Sequence, residues 1–354
     1  TKYPKSSYAP RAVYFQAESH YVGKQLKEAV VAYQRIVSTY PSSPLLPDTL
    51  YAMGTTQQEL TLHAEAEATF LKFLAKAEFA KHPLFPEVNL RAALCQFSQK
   101  KFAEADKRLA IVVTLKDFPL VDLAYLRQGQ CRVELGNYDQ AIPLLVKFIA
   151  EFPKSPHAPA GTLALGRSYY QLEKMDDARR VLEPLAKLKI AESPEAAYWL
   201  GRGLLKQKKA TEAFALLDAI AKTSGDSAYL PYLQLTRVDA IYEIPARRNE
   251  TPALYEAFVK QHPKHALTPQ AHYMSAFATL GEKDYVVART RAETFLATPD
   301  YAKHELTPAV LFIAGEGYLL HPDEANQDAH RVKAEALYRR VVTEYPEHPR
   351  GSAA

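Results

Sequence analysis

The sequence predicts an all-α fold, an α-solenoid of about nine helix–turn–helix units. Three recurrences predict it. Alanine returns at Ala29, Ala66, Ala105, Ala141, Ala178 and Ala213, with separations of 37, 39, 36, 37 and 35 residues. Gly54, Gly129, Gly166 and Gly201 each precede one of these alanines (Ala66, Ala141, Ala178 and Ala213) by twelve residues. Tyr40-Pro41, Phe118-Pro119, Phe152-Pro153, His262-Pro263 and Tyr345-Pro346 each close an apolar-periodic run. Proline stops a helix because it lacks the N–H and disfavours helical backbone in the residue before it.

The second helix of each unit follows from the alanine ladder. Four residues on stand Tyr33, Phe70, Leu109, Leu145, Leu182 and Leu217, and three further on Ile36, Phe73, Val112, Phe148, Leu185 and Ile220. That is an i, i+4, i+7 stripe on one helix face. The first helix carries the glycine, and small residues at matched points are expected to let the two helices of a hairpin approach closely. The linkers are variants of one turn: residues 3–10, Tyr40-Pro-Ser-Ser-Pro44 and Phe152-Pro-Lys-Ser-Pro-His-Ala-Pro159. Their serine is expected to cap the next helix, and proline suits its first turn. The 13 glycines and 24 prolines fit helices stopped by prolines better than a strand-rich fold. The units run approximately 3–41, 42–81, 82–119, 120–153, 154–190, 191–225, 226–263, 264–300 and 301–346, in one solenoid spanning residues 1–354. Segment 227–263 has no glycine at the expected place, and an insertion around His321-Pro322-Asp323-Glu324 separates Gly315 from Ala334.

These residues resemble the tetratricopeptide repeat (TPR). Leu165-Gly166-Arg167-Ser168-Tyr169 followed by Ala178 matches it best, and Tyr125, Gly129, Ala141, Phe148 and Pro153 match nearly as well. The resemblance covers almost the whole chain, although its period exceeds the family's usual one because the linkers are longer. It implies a right-handed superhelix. The Tyr/Phe-Pro-x-Ser linkers further resemble those of bacterial envelope and periplasmic repeat proteins, so the expected location is the periplasm or envelope, with the cytoplasm as the alternative. Lys2-Tyr3-Pro4 reads as the tail of an earlier repeat, and residues 346–354 as the start of a further one. The chain is therefore expected to be a segment of a longer protein, or to associate end to end through uncapped termini.

Catalytic and cofactor motifs do not emerge. There is no G-x-x-x-x-G-K-[ST], H-E-x-x-H or G-x-S-x-G, and Gly201-Arg202-Gly203 lacks the third glycine of a dinucleotide loop. The expectation is a protein that is not an enzyme and takes no cofactor or metal. With 44 basic and 40 acidic side chains, the net charge of +4 argues against nucleic acid as partner. No apolar run approaches the length of a transmembrane helix. Cys95 and Cys131 lie 36 residues apart, at equivalent places in consecutive first helices. Helix axes stand about 8–10 Å apart and disulfides want Cα atoms within about 7 Å, so both are expected to be reduced and buried. The eleven histidines, among them His20, His63, His262 and His265, show no metal spacing. Lys100-Lys101, residues 206–209 and Arg247-Arg248 fall in turns, as solvated loops or as a docking patch for an acidic partner. Asn249-Glu250-Thr251 is a glycosylation sequon, of use only in a secreted eukaryotic chain.

In the tetratricopeptide family the first helices line a concave groove. Projected here, the groove residues are Tyr14, Glu18, Tyr51, Thr55, Leu94, Phe97, Gln130, Arg167, Tyr170, Tyr198, Arg202, Tyr273 and Phe277. Tyrosine and arginine are enriched at binding hot spots, and Arg167 with Arg202 could clamp a carboxylate. Each tyrosine could equally pack between helices with its hydroxyl at the rim. The leading expectation is an interaction scaffold holding a partner peptide or helix in the groove. The alternatives are a structural segment of a larger enzyme or secretion or assembly machine, and a carbohydrate- or lipid-binding groove.

Overall fold

The computed structural model describes residues 6–115, 117–321 and 324–347. Lys2-Tyr3-Pro4, Pro322-Asp323 and residues 348–354 lie outside the described residues. The described residues form eighteen α-helices and no strand. The chain divides into two compact units, Thr1–Lys174 and Met175–Ala354. In the first unit run α1 (Ala9–Val22), α2 (Leu26–Thr39), α3 (Leu46–Glu59), α4 (His63–Leu74), α5 (Phe85–Ser98), α6 (Phe102–Val112), α7 (Val121–Glu134), α8 (Tyr138–Glu151) and α9 (Ala158–Gln171). In the second run α10 (Met175–Ala186), α11 (Ser193–Lys206), α12 (Ala210–Ala221), α13 (Leu230–Tyr242), α14 (Thr251–Gln261), α15 (Thr268–Gly281), α16 (Tyr285–Leu296), α17 (Thr307–Leu319) and α18 (Gln327–Glu344).

Within each unit every helix packs on the next. First helices also touch first helices, α5 with α7 and α7 with α9 in the first unit, α11 with α13 and α15 with α17 in the second. The alanine ladder forms the spine: all six alanines and their +4 partners are buried. The +7 positions are buried as well, except Ile220, which is half-buried. Burying a Leu or Phe side chain contributes about 1.5–3 kcal/mol, and this stripe repeats that gain in hairpin after hairpin.

The glycines do their work differently from expectation. A Cβ on Gly54 would stand 2.4 Å from the ring of Phe70, on Gly129 2.4 Å from Leu145, and on Gly201 2.8 Å from Leu217. Each glycine thus makes room for the bulky +4 residue of the next helix, not for the alanine itself. Gly315 does the same for Tyr338, four residues after Ala334. The insertion there is taken up by a 3-10 turn at Glu324–Asn326 and by an α18 of 18 residues.

The helix ends also correct two expectations. Tyr40, Phe152, His262 and Tyr345 are C-cap residues, so proline does follow the helix directly in those places. Phe118-Pro119 does not close a helix, because α6 ends at Val112. The linker serines do not cap the next helix; its N-cap residue is Tyr8, Leu45 or His157 and makes no side-chain cap bond. Instead a side chain two residues earlier accepts the N-cap N–H: Ser6 at 3.3 Å, Ser43 at 3.2 Å and Ser155 at 3.0 Å. Ser227 does so at 3.2 Å. His82, His265 and His304 perform the same task through Nδ1, at 3.3, 3.2 and 3.2 Å. Proline stands four residues after each of these seven, at 10, 47, 86, 159, 231, 269 and 308, in the first turn of the helix. This Ser/His-x-x-x-Pro signature was readable in the sequence but hidden by the alternation of serine with histidine.

Cys95 and Cys131 are free and buried, as expected. Burial pushes their thiols up to about 11 and about 12. No helix of the described residues is long and apolar enough to cross a membrane.

Candidate functional site

In the first unit α1, α3 and α5, with Tyr33 of α2, line a concave cavity of about 690 Å³. Four of the residues projected onto the groove meet there: Tyr14 and Glu18 from α1, Tyr51 and Thr55 from α3. They share the cavity because successive first helices present the same face to it. The sequence reading missed Tyr21, Asp48, Glu59 and Arg91, which also line it. Tyr21 and Glu59 stand one or two helical turns after Tyr14 and Thr55, so extending the projected face along each helix would have found them.

Its polar groups are tied together. Tyr33 donates to Glu18, and Tyr21 donates to Glu59. Tyr51 donates to Glu87 at 2.6 Å. Arg91 donates to the same Glu87 at 2.9 Å and to Gln58 at 3.2 Å, and its guanidinium lies 5.4 Å from the centre of the Tyr51 ring. Burial, followed by the charges of Glu18 and Asp48, pushes the Tyr14 hydroxyl up to about 12. Burial and the bond to Glu87 push Tyr51 upward, while for Tyr21 the bond to Glu59 leads and burial follows. These raised phenols remain protonated and able to donate at neutral pH.

Farther along the same unit the projected residues are engaged in packing. Leu94 and Phe97 pack on the core around Leu109, Phe97 meets Phe102 edge-on at 5.2 Å, and Arg127 lies 5.0 Å from the Phe97 ring centre. Gln130 accepts from Arg127 at 2.9 Å, and Arg167 pairs with Glu134 at 3.5 Å. Tyr170 is only 4% exposed, so its ring is a packing residue and presents no binding face. A second cavity of about 700 Å³ lies between α6, α7 and α8, lined by Tyr125, Arg132, Lys147 and Phe152 among others, and holds none of the projected residues.

The second unit offers a different surface. Tyr198 lies 5.0 Å from Trp199, 5.9 Å from Tyr229 and 5.4 Å from Tyr232, ring centre to ring centre, and Tyr232 meets His265 at 5.3 Å. Arg202 donates to the Tyr198 hydroxyl at 2.9 Å. Tyr273 stacks on Phe277 at 5.7 Å, and both pack on the core around Phe295. The turn cations are largely engaged: Lys101 pairs with Glu67 at 2.7 Å, Arg247 with Glu250 at 2.8 Å, and Arg248 donates to the Tyr242 carbonyl at 2.8 Å. Lys101 therefore pins the turn before α6 to α4. Glu67 is held below the usual carboxylate range although burial opposes it, because Lys101, Gln96 and Gln99 all donate to it.

Three tetratricopeptide-repeat family models match the chain, over residues 12–43, 132–189 and 163–228. The chain is similar to the C-terminal part of a TPR repeat-containing protein from Cytophaga hutchinsonii, at 16% identity and a TM-score of 0.56, with 73% of this chain and 98% of that one covered. It is also similar to a tetratricopeptide repeat protein from Parabacteroides merdae, at 13% identity and a TM-score of 0.51, with 74% and 96% covered. At such identities the likeness speaks for the fold. No match was found among curated proteins.

Proposed function

Because this chain belongs to the tetratricopeptide-repeat family, we propose that it is a non-enzymatic protein–protein interaction scaffold that holds a peptide or helix of a partner in the groove lined by its first helices. The observation that carries the reading is the first-unit cavity, where Tyr14, Glu18, Tyr51 and Thr55 converge from two successive first helices. A concave wall of aromatic rings and charged groups on rigid helices is what peptide recognition uses: rings fill pockets, and polar groups set the register. The aromatic array around Tyr198 supplies a second anchoring surface of the same type in the other unit.

Photo-crosslinking residues placed at Tyr51, at Tyr198 and, on a second helix, at Val146, which is 44% exposed, test this in the intact chain within its own cell. Adducts with a defined protein are expected at Tyr51 or Tyr198 and not at Val146. Adducts from Val146 alone, or from none of the three, would overturn the proposal.

A further inference from the structure

We propose that the first-unit cavity selects a cationic side chain, arginine or lysine, of the partner segment. The inference rests on the scaffold reading and names the chemistry of what that scaffold takes up. Glu18, Asp48 and Glu59 line the cavity, against one lining cation, Arg91. Arg91 does not neutralise them, because its guanidinium is committed to Glu87, 2.8 Å away. Lys24 approaches the Tyr21 ring at 5.8 Å, and counting it still leaves the wall with an excess of negative charge.

The rings add to the same preference. An aromatic face is the negative part of the ring's quadrupole and attracts a cation within about 6 Å. Tyr14, Tyr21 and Tyr51 all line the cavity. Tyr33 and Tyr14 together engage two acceptor sites on Glu18, and Tyr21 engages one on Glu59. An ionised carboxylate has roughly four such sites, so both retain capacity for an incoming N–H. Arg91 is an internal sample of the ligand: a guanidinium lying over Tyr51 while it donates to a carboxylate. An acidic segment would meet three like charges instead, and like charges brought together at an interface reject a partner.

The test uses the full chain and two fluorescein-labelled octapeptides, one alternating serine with arginine and one alternating serine with glutamate, with binding read by anisotropy at two salt concentrations. Glu18→Gln and Glu59→Gln keep an acceptor for Tyr33 and Tyr21, and circular dichroism reports whether they and Asp48→Asn remain folded. The arginine peptide is expected to bind and to weaken with salt, and the glutamate peptide to bind at least tenfold more weakly. Each substitution should weaken the arginine peptide by about threefold to fivefold. Glu250→Gln, in the second unit, should leave it unchanged. Equal binding of the two peptides, or equal weakening by Glu250→Gln, would overturn the cationic preference; so would single variants that stay folded and bind as the parent does. A partner crosslinked at Tyr51 through an acidic segment would overturn it too while leaving the scaffold intact. Absence of crosslinks at both Tyr51 and Tyr198 removes the scaffold reading itself.

Discussion

Hairpin α3–α4 and hairpin α13–α14 fill one repeat position in opposite ways. In the first, Gly54 leaves a space that the ring of Phe70, sixteen residues later, occupies. In the second the same spacing leads from Asp239 to Tyr255, with Thr251 in the alanine's place. The Tyr255 ring is buried and its hydroxyl donates to Asp239 at 2.8 Å. The turns differ as well. The first hairpin turns through Thr61 in the left-handed region, at φ 59°. The second passes through extended Ile244 into a 3-10 helix at Pro245–Glu250. The comparison teaches that the repeat conserves a spacing and a volume, and that either a void or a hydrogen bond can serve at the point of contact.

The largest expected effect is on the polar side of this comparison. Burial pushes the Asp239 carboxyl up to about 6, and the Tyr255 hydroxyl bond and Arg202 only partly oppose it. A carboxyl with a raised folded-state value binds its proton more tightly folded than unfolded. Stability from this group is therefore present below pH 4 and declines as pH rises from about 4 to about 6. The gap from 3.8 to about 6 corresponds to at most about 3 kcal/mol, an upper value because Asp239 keeps part of its surface in water. Asp239→Asn, which still accepts from Tyr255, should match the parent at pH 4 and exceed its stability at pH 8. Urea titrations at the two pH values check this; a parent–variant difference that does not change with pH would contradict it.

Next in size is Tyr255→Phe, which keeps the buried ring and removes the donor. The expected loss is about 2 kcal/mol at pH 8, where the partner is a carboxylate, and less at pH 4. Equal losses at both pH values would mean that the bond does not depend on the charge.

Gly54→Ala probes the apolar side and should be pH-independent. Its Cβ would crowd a fully buried ring. Overpacking costs about 1–3 kcal/mol, offset by a helix-propensity gain of about 1 kcal/mol, so a net loss of about 1 kcal/mol is expected. Phe70→Leu added to it should recover most of that loss, because Ala93 already accommodates Leu109 at the equivalent pair. Thermal melting of the single and double variants checks both statements.

The smallest effect lies in the turns. Lys24, Lys100, Glu173, Lys208 and Lys283 occupy the place of Thr61 in their own hairpins with positive φ, and Gly136 does so at φ 75°. A β-branched residue is strained there, so Thr61→Gly should raise stability by up to about 1 kcal/mol, and Gly136→Ala should lower it by a similar amount. A melting temperature lowered by Thr61→Gly would show that side-chain contacts outweigh the backbone strain.

The all-helical repeat fold, the buried spine from Ala29 to Ala213 and the two reduced cysteines were legible in the residues alone. They depend on local periodicity and on volume, which the order of residues carries directly. Four cavity residues were legible through the family's geometry. Tyr21 and Glu59 needed only the same face followed further along α1 and α3, whereas Asp48 and Arg91 were not legible, because membership in a cavity depends on how neighbouring helices are placed, and that is a property of packing. Tertiary structure also decided that the glycines face the bulky +4 residues, since a helix side chain reaches toward the N-terminal turn before its own Cα. Only tertiary structure could show Asp239 in a glycine's place, because the residue resembles no repeat consensus until the hydroxyl of Tyr255 is seen to reach it. Sequence order determined which residues repeat; packing in three dimensions determined which of them meet, because contacts between helices join residues that the chain holds on different helices, well beyond the reach of local periodicity.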